Sequence, residues 1–254
     1  MKKGIILCGG EGTRLRPLTS ITNKHLLPIY DKPMVLYPLE TLKTLGIKDI
    51  LLVSGGEHIG RFTEFLGDGR DFGVNLTYRV QRDAGGIAEA LGLAKDFANG
   101  ESVAVILGDN IFDNGEILKR ILYHDGTMEV LNDGRTRLFV KKVEDASRFG
   151  VLIDGMKEVM PEVGWKIVEK PKGMKEGEAV TGLYIYPNKV FDIIPTLKPS
   201  ARGELEVTDI NNYFLSRPTN SSVVYRLEGF WSDAGTFESL LKSSNWAAKV
   251  TPQK

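Results

Sequence analysis

The sequence predicts an α/β protein with a doubly wound, mostly parallel (mixed) sheet, and three observations carry this. Apolar runs rich in Val, Ile and Leu recur at residues 5–8, 48–54 and 103–107. Segments of helical period separate them, the pattern of strands joined by crossover helices. The runs are unbroken, as expected for strands buried on both faces. A glycine cluster (Gly9, Gly10, Gly12) follows the first run at once.

After that loop, residues 26–31 read as a short extended piece. Pro33 fits the first turn of a helix carried by Val35, Leu39, Leu42 and Leu45 and closed by Gly46. A strand over 48–54 leads to a helix over 59–66, a glycine-rich loop over 67–73 and a strand over 74–80. Residues 87–97 form an alanine-rich helix. The strand over 103–107 stops at Gly108-Asp109-Asn110. The texture changes near residue 125. Residues 125–133 read as a surface loop, and strands follow at 137–143, 151–154, 165–169 and 179–186. Helices are expected over 188–197 and 206–215 and strands over 223–227 and 230–232. A closing helix starting near Gly235 carries Phe237, Leu240, Leu241 and Ser244 on one face. No linker, repeat or low-complexity tract divides the chain, so residues 1–254 are expected to form one domain.

Composition narrows the function. Lys+Arg and Asp+Glu stand at 33 each, so no basic excess points to nucleic acid and any anion site is local. The single cysteine, Cys8, excludes an internal disulfide and a cysteine-rich metal site; ending an apolar strand, it reads as a buried thiol. No apolar run approaches the roughly 20 residues of a membrane span. The start Met-Lys-Lys-Gly runs straight into the first strand without a signal peptide. The expectation is a cytoplasmic protein.

Residues 9–24 carry the chemistry. Backbone N–H groups of a glycine turn form an anion-binding concavity, and Thr13, Arg14, Arg16 and Lys24 add donors and charge. The cluster is neither a P-loop, since no Lys follows in that spacing, nor a dinucleotide fingerprint, whose third glycine would fall at Leu15. Taken alone it is equally a tight turn with solvated arginines. Asp109 and Asp233 each lie just past a strand, where open α/β sheets bind ligands. Each is otherwise a turn or helix-cap residue. Together, with no Cys/His cluster, they suit a hard cation such as Mg²⁺. Gln81 ends a strand, and its amide could read a nucleobase edge. Glu169-Lys170-Pro171 ends another, where a carboxylate could accept from sugar hydroxyls and a lysine could meet a phosphate. His25, His58 and His124 show no ligand spacing.

In combination these pieces resemble the sugar-phosphate nucleotidylyltransferases, and within that family its thymidylyl branch. The glycine signature through Pro17 belongs to the wider superfamily. The stretches Tyr30-Asp31-Lys32-Pro33-Met34 and Arg202-Gly203-Glu204-Leu205-Glu206-Val207-Thr208-Asp209 are specific to the branch. Gly86-Ile87-Ala88, Leu107-Gly108-Asp109-Asn110, Arg148-Phe149-Gly150, Val180-Thr181-Gly182 and Trp231-Ser232-Asp233-Ala234-Gly235-Thr236 also match, in order, from residue 4 to about 241.

The resemblance implies a Rossmann-like nucleotidyltransferase fold with an extra β-rich sugar-binding part. Residues 1–125 would form the nucleotide-binding half, and 126–254 the sugar-phosphate half and closing helix. It implies transfer of a thymidylyl group from dTTP to glucose 1-phosphate, with Mg²⁺ as cofactor, by a homo-oligomer. Gly9, Gly12 and Thr13 would lie along the nucleotide, Arg14 on the outer phosphates, Lys24 on the α-phosphate, and Gln81 and Gly86 at the base. Asp109 and Asp233 would hold Mg²⁺. Gly150, Glu169, Lys170, Val180 and Gly182 would line the sugar-phosphate pocket. Arg14, Lys24, Asp109, Lys170 and Asp233 are the expected catalytic set. The chain departs from the pattern at Arg82, where a proline usually follows the glutamine, and at Phe237, in place of a histidine. It stops at Lys254, short of the C-terminal helices that longer members use for assembly and feedback binding.

Overall fold

The computed structural model describes residues 2–126, 133–154, 165–217 and 221–251. In chain order the first half contains β1 (Lys3–Cys8), β2 (Pro28–Ile29), β3 (Lys32–Pro33), α1 (Leu36–Thr44), β4 (Asp49–Gly55), α2 (Gly56–Leu66), β5 (Asn75–Gln81), α3 (Ile87–Gly92), α4 (Lys95–Ala98), β6 (Val103–Leu107), β7 (Ile111–Phe112) and α5 (Asn114–Asp125). The second half contains β8 (Thr136–Val143), β9 (Gly150–Asp154), β10 (Trp165–Glu169), β11 (Gly177–Tyr186), α6 (Val190–Ile193), α7 (Val207–Leu215), β12 (Ser222–Leu227), β13 (Trp231–Ser232) and α8 (Phe237–Val250).

Among the described residues one nine-stranded sheet runs β10-β9-β11-β6-β1-β4-β5, with β8 on β11 and β12 on β8. β6, β1, β4 and β5 are parallel throughout. β11 enters antiparallel beside β6, so the second half extends the sheet of the first. Side chains of β1 alternate between two cores. Ile5 and Leu7 pack with residues of α3, α4, α6 and α7; Ile6 and Cys8 pack with those of α1, α2 and α5. Helices therefore cover both faces, and each fully buried Leu or Ile contributes about 1.5–3 kcal/mol.

Two short elements steer the chain ends. Asp113 caps α5 by accepting from the Gly115 and Glu116 N–H groups. Thr236 caps α8 through a reciprocal box with Ser239. β13 pairs antiparallel with β7, Trp231 opposite Phe112 and Ser232 opposite Ile111. The next residue outward from this ladder is Asp233, drawn to the end of β6 where Asp109 lies.

Some local expectations change. Pro33 sits in β3, paired with Pro28 across a small hairpin, and α1 begins only at Leu36. Hairpin pairing takes precedence over the helix-start preference of proline. The helix expected over 87–97 is two pieces, α3 and α4, separated by Leu93 and Ala94. The helix over 188–197 shrinks to α6 followed by a 3₁₀ turn over Ile194–Thr196. α5 was not expected. Of the loop expected at 125–133, residues 127–132 lie outside the described residues. No helix among the described residues is long and apolar enough to cross a membrane.

Candidate active site

The carboxyl ends of β1, β5 and β6 open on a cavity of about 240 Å³ lined by Gly9, Gly10, Lys24, Gln81, Gly86 and Asp109, among others. Its floor follows from the turn after β1. Gly12 is left-handed at φ 63°, and a Cβ there would stand 2.9 Å from the Thr19 side chain and 3.2 Å from Lys24 Cβ. This close approach, which a side chain would block, lets Lys24 fold in beside the glycines. Gln81 is fixed through its Nε2, which donates to Glu89 Oε2 at 2.5 Å and the Gly86 carbonyl at 3.3 Å. Its carbonyl oxygen stays available as an acceptor.

Lys24 Nζ lies 2.6 Å from Asp109 Oδ2, and both side chains are largely buried. Burial pushes the Asp109 carboxyl up, but the Lys24 ammonium and the Lys24 and Asn110 hydrogen bonds outweigh it and hold the carboxyl below its usual range. His25, the next residue, is also at the cavity wall and is buried. Its Nδ1 is 2.6 Å from Asn23 Oδ1, and burial, then the Lys24 charge, lowers its pKa to about 3. It is a neutral structural imidazole. Burial raises the pKa of Cys8, which is inert as a nucleophile.

A second cavity, about 400 Å³, shares Ile87, Leu107 and Asp109 with the first and continues to Arg14, Arg148, Gly150, Glu169, Lys170, Val180, Gly182, Arg202 and Asp233. Asp109 thus stands where the two meet. Asp233 Oδ2 accepts from Arg148 at 2.9 Å. Burial and the Asp109 charge raise its pKa, against the opposing pull of Arg148 and Arg14. Glu169 Oε2 accepts from the Thr208 hydroxyl at 2.5 Å, while Lys170 Nζ is 3.3 Å from Oε1. Arg202 reaches Glu206 at 2.9 Å and Glu169 at 3.6 Å. Lys170 and Ala234, beside the two acids, hold left-handed φ of 43° and 33° without being glycine. Backbone strain of this kind gathers at functional sites.

Asn110 ties the wall together. Its Nδ2 donates to Asp109 Oδ1 at 2.9 Å, and its Oδ1 accepts from Gly182 N at 2.8 Å and Trp231 Nε1 at 2.7 Å. A Cβ on Gly182 would fall 2.6 Å from that amide, so the approach requires glycine.

The residues present fit a divalent cation. Asp109 and Asp233 border one cavity, and their mutual repulsion is visible in the raised pKa of Asp233. No group of three or more His, Cys, Asp and Glu placed for a metal occurs among the described residues. A set of two carboxylates leaves the other positions to water and phosphate oxygen, the preference of Mg²⁺.

Of the predicted site residues, Gly9, Lys24, Gln81, Gly86 and Asp109 meet at the first cavity. Arg14, Gly150, Glu169, Lys170, Val180, Gly182 and Asp233 meet with Asp109 at the second. Arg14 therefore faces Asp233 and not the base side. Gly12 and Thr13 line neither cavity: Gly12 shapes the turn and Thr13 opens a 3₁₀ turn. Arg148, Arg202, Asn110 and Trp231 had been given no role. Arg148 and Arg202 carry one signal each, a cation inside a stretch that resembles the family: Arg148-Phe149-Gly150 for the first, the branch-specific stretch beginning at Arg202 for the second. The Asn110–Trp231 contact spans 121 positions and has no local signal.

The profile of the family described as Nucleotidyl transferase matches residues 3–249. A glucose-1-phosphate thymidylyltransferase of Mycolicibacterium smegmatis is 43% identical over 254 residues, covering 98% of this chain and 83% of that protein. One from Neisseria meningitidis is 41% identical over 248 residues with the same coverage. A crystal structure of a Bacillus anthracis protein provisionally named a glucose-1-phosphate thymidylyltransferase, in complex with sucrose, superposes with a TM-score of 0.84 at 43% identity. It covers 100% of this chain and 98% of that one. A UDP-glucose pyrophosphorylase in complex with UDP-glucose, at 24% identity and a TM-score of 0.81, shares the fold.

Proposed function

The chain belongs to the nucleotidyl transferase family, and from that premise we propose that it transfers a thymidylyl group from dTTP to α-D-glucose 1-phosphate, releasing pyrophosphate and dTDP-glucose for activated deoxysugar synthesis. The observation that carries this reading is the pair of cavities joined at Asp109, one floored by a glycine turn and the other walled by Glu169, Lys170, Arg148 and Arg202.

A sugar phosphate is already an anion and needs no general base. Its oxygen attacks the α-phosphorus in line, and pyrophosphate leaves from the opposite side. Holding the two anions in line supplies roughly 7–11 kcal/mol of the barrier. Gly9 lies along the nucleotide, while Gly12 and Thr13, outside both cavities, act by shaping the turn beneath it. Gln81, with its Nε2 committed to Glu89 and Gly86, presents an acceptor to the N3–H of thymine. Lys24 steadies the α-phosphate and Arg14 the outer phosphates. Lys170 holds the sugar phosphate while Glu169 accepts from its hydroxyls; Gly150, Val180 and Gly182 shape the pocket. Asp109 and Asp233 would hold Mg²⁺, which when bound neutralises charge on the phosphate oxygens. The protein's own cations add to that stabilisation. The reading includes a cytoplasmic homo-oligomer that engages neither nucleic acid nor membrane, in keeping with its balanced charge.

Pyrophosphate release measured over a matrix of nucleoside triphosphates and sugar 1-phosphates, with and without Mg²⁺, tests it. The expected maximum is dTTP with glucose 1-phosphate. A clear preference for UTP, or for another hexose 1-phosphate, would replace the assignment.

A further inference from the structure

A third cavity, of about 220 Å³, opens where β4 passes into α2. It shares Gly9, Gly10, Gln81 and Ala84 with the first cavity but is lined by neither Lys24 nor Asp109. Asn23 forms part of its wall and is only 3% exposed. The Asn23 Oδ1 accepts from the His25 backbone N–H at 2.9 Å and lies 2.6 Å from His25 Nδ1. A backbone donor admits only an oxygen at that place, so the amide orientation is fixed and Nδ2 is its other end. Among the described residues Nδ2 has no hydrogen-bond partner. Nor is it sealed in: the sealed orphan side-chain atoms there are Thr136 Oγ1 and Ser222 Oγ. This donor therefore faces the cavity that Asn23 lines.

A second set of donors converges on the same space. The N-cap of α2 is Gly55, and no side chain caps this 11-residue helix. First-turn N–H groups find no partner inside a helix and carry the positive end of its dipole. Gly56, Glu57 and His58 bring them to the cavity. The two sets are independent, one from the turn after β1 and the other from the crossover after β4. Together they suit a carboxylate. The rim has the opposite character. Glu11, Glu57 and Asp83 line it and are exposed. Glu11 reaches Arg16 only at 3.7 Å, and Glu57 and Asp83 form no ion pair among the described residues. Arg82 is the one Lys or Arg on the cavity wall among them. Three acids against one arginine disfavour a multiply charged anion such as phosphate. They favour a cationic group beside the carboxylate, and an α-amino acid joins the two within one short backbone.

We propose that this third cavity binds a small zwitterion of the α-amino-acid class, its carboxylate on Asn23 Nδ2 and the first-turn N–H groups of α2 and its ammonium toward Glu57 and Asp83. The inference stands apart from the transfer reaction, whose anions belong to the other two cavities. An occupant here borders the nucleotide side of the protein, because Gly9, Gly10 and Gln81 belong to both walls.

The test follows the Asn23 side-chain amide and the backbone amides of Gly56, Glu57 and His58 by NMR of the full chain, near neutral pH. Glycine, sodium acetate and inorganic phosphate are titrated in separately. Glycine is expected to shift all of these resonances along a saturable curve. Acetate should do so about two- to fivefold more weakly, the worth of one exposed ion pair, and phosphate should leave them in place. Two variants probe the donors. A Cβ on Gly55 meets nothing within 4 Å, and its φ of −62° suits any residue, so Gly55→Asp is compatible with the fold. Its carboxylate caps α2 from within and should abolish the glycine shifts. Asn23→Asp keeps an oxygen for His25 but replaces the donor, and should weaken glycine by about tenfold or more. The double variant Glu57→Gln/Asp83→Asn should remove the advantage of glycine over acetate. The proposal is overturned if glycine moves none of these resonances at any concentration up to its solubility. It is equally overturned if acetate or phosphate binds more tightly than glycine, or if folded Gly55→Asp binds glycine as the unsubstituted protein does.

Discussion

Lys24 and Asp109 form a close ion pair, 2.6 Å from nitrogen to oxygen, at the junction of the two cavities. They are 85 positions apart in the chain and meet because β1 and β6 are adjacent parallel strands whose carboxyl ends lie level.

Lys24→Met should therefore affect both function and folding. Removing one partner leaves a buried carboxylate uncompensated, and denaturant unfolding should show a loss of up to about 3 kcal/mol. Turnover should fall by about 10²- to 10³-fold, as when a preorganised charge is removed from a transition state. Unchanged stability would mean that the pair is not closed in solution.

Asp109 and Asp233 should respond to pH with opposite signs. The pKa of Asp109 is lowered, so its contribution to stability is present above the ordinary aspartate range and disappears as pH falls through the lowered value. The pKa of Asp233 is raised, so its ionised form costs stability near neutrality and the cost fades as pH falls. Asp233→Asn should accordingly raise the melting temperature of the metal-free protein while lowering turnover in Mg²⁺ by about 10²-fold or more. Asp109→Asn should lower both. Calorimetry beside a kinetic assay separates the two.

Lys170→Ala should raise the KM for glucose 1-phosphate by about tenfold, equivalent to roughly 1.4 kcal/mol, and leave dTTP affinity nearly unchanged. A selective loss of dTTP binding would show that the two pockets had been assigned in reverse.

His25 should remain unprotonated well into acid. Its folded pKa of about 3 lies below the ordinary value of 6.5, so the unfolded chain takes up a proton first as pH drops. Stability unaffected by this group above pH 6.5 should decline between 6.5 and about 3. Imidazole NMR resonances of His25 that titrate near 6.5 would contradict the buried, Asn23-bonded ring.

The parts of the fold legible in the sequence are those whose neighbours are uniform. β1, β4 and β6 are buried on both faces, so their apolar runs needed no tertiary context. Pro33 misled because its partner, Pro28, is met only once the hairpin closes. α5 carried a readable start, Asp113 with Glu116 three residues on, but its modest apolar stripe did not stand out. Within the site, strand ends exposed Gly9, Gln81, Asp109 and Glu169 as candidates, since the carboxyl edge of such a sheet is where ligands sit. The meeting of Asp233 with Asp109 depends on the two-residue ladder of β7 and β13, too short to carry a pattern.

Between Val180 and Tyr184, β11 advances four residues while its neighbour β8 advances two, from Val140 to Leu138. The surplus is even, so Val180, Tyr184 and Tyr186 stay in one core and Ala179, Leu183 and Ile185 in the other. Thr181 and Gly182 form the excursion, anchored to the Phe139 carbonyl and to Asn110. Excising that pair of residues would leave every remaining side chain facing its own side and give an uninterrupted ladder, yet it would sever the strand from Asn110. Architecture and chemistry part company at this one irregularity, where a tidier sheet would be an emptier catalyst.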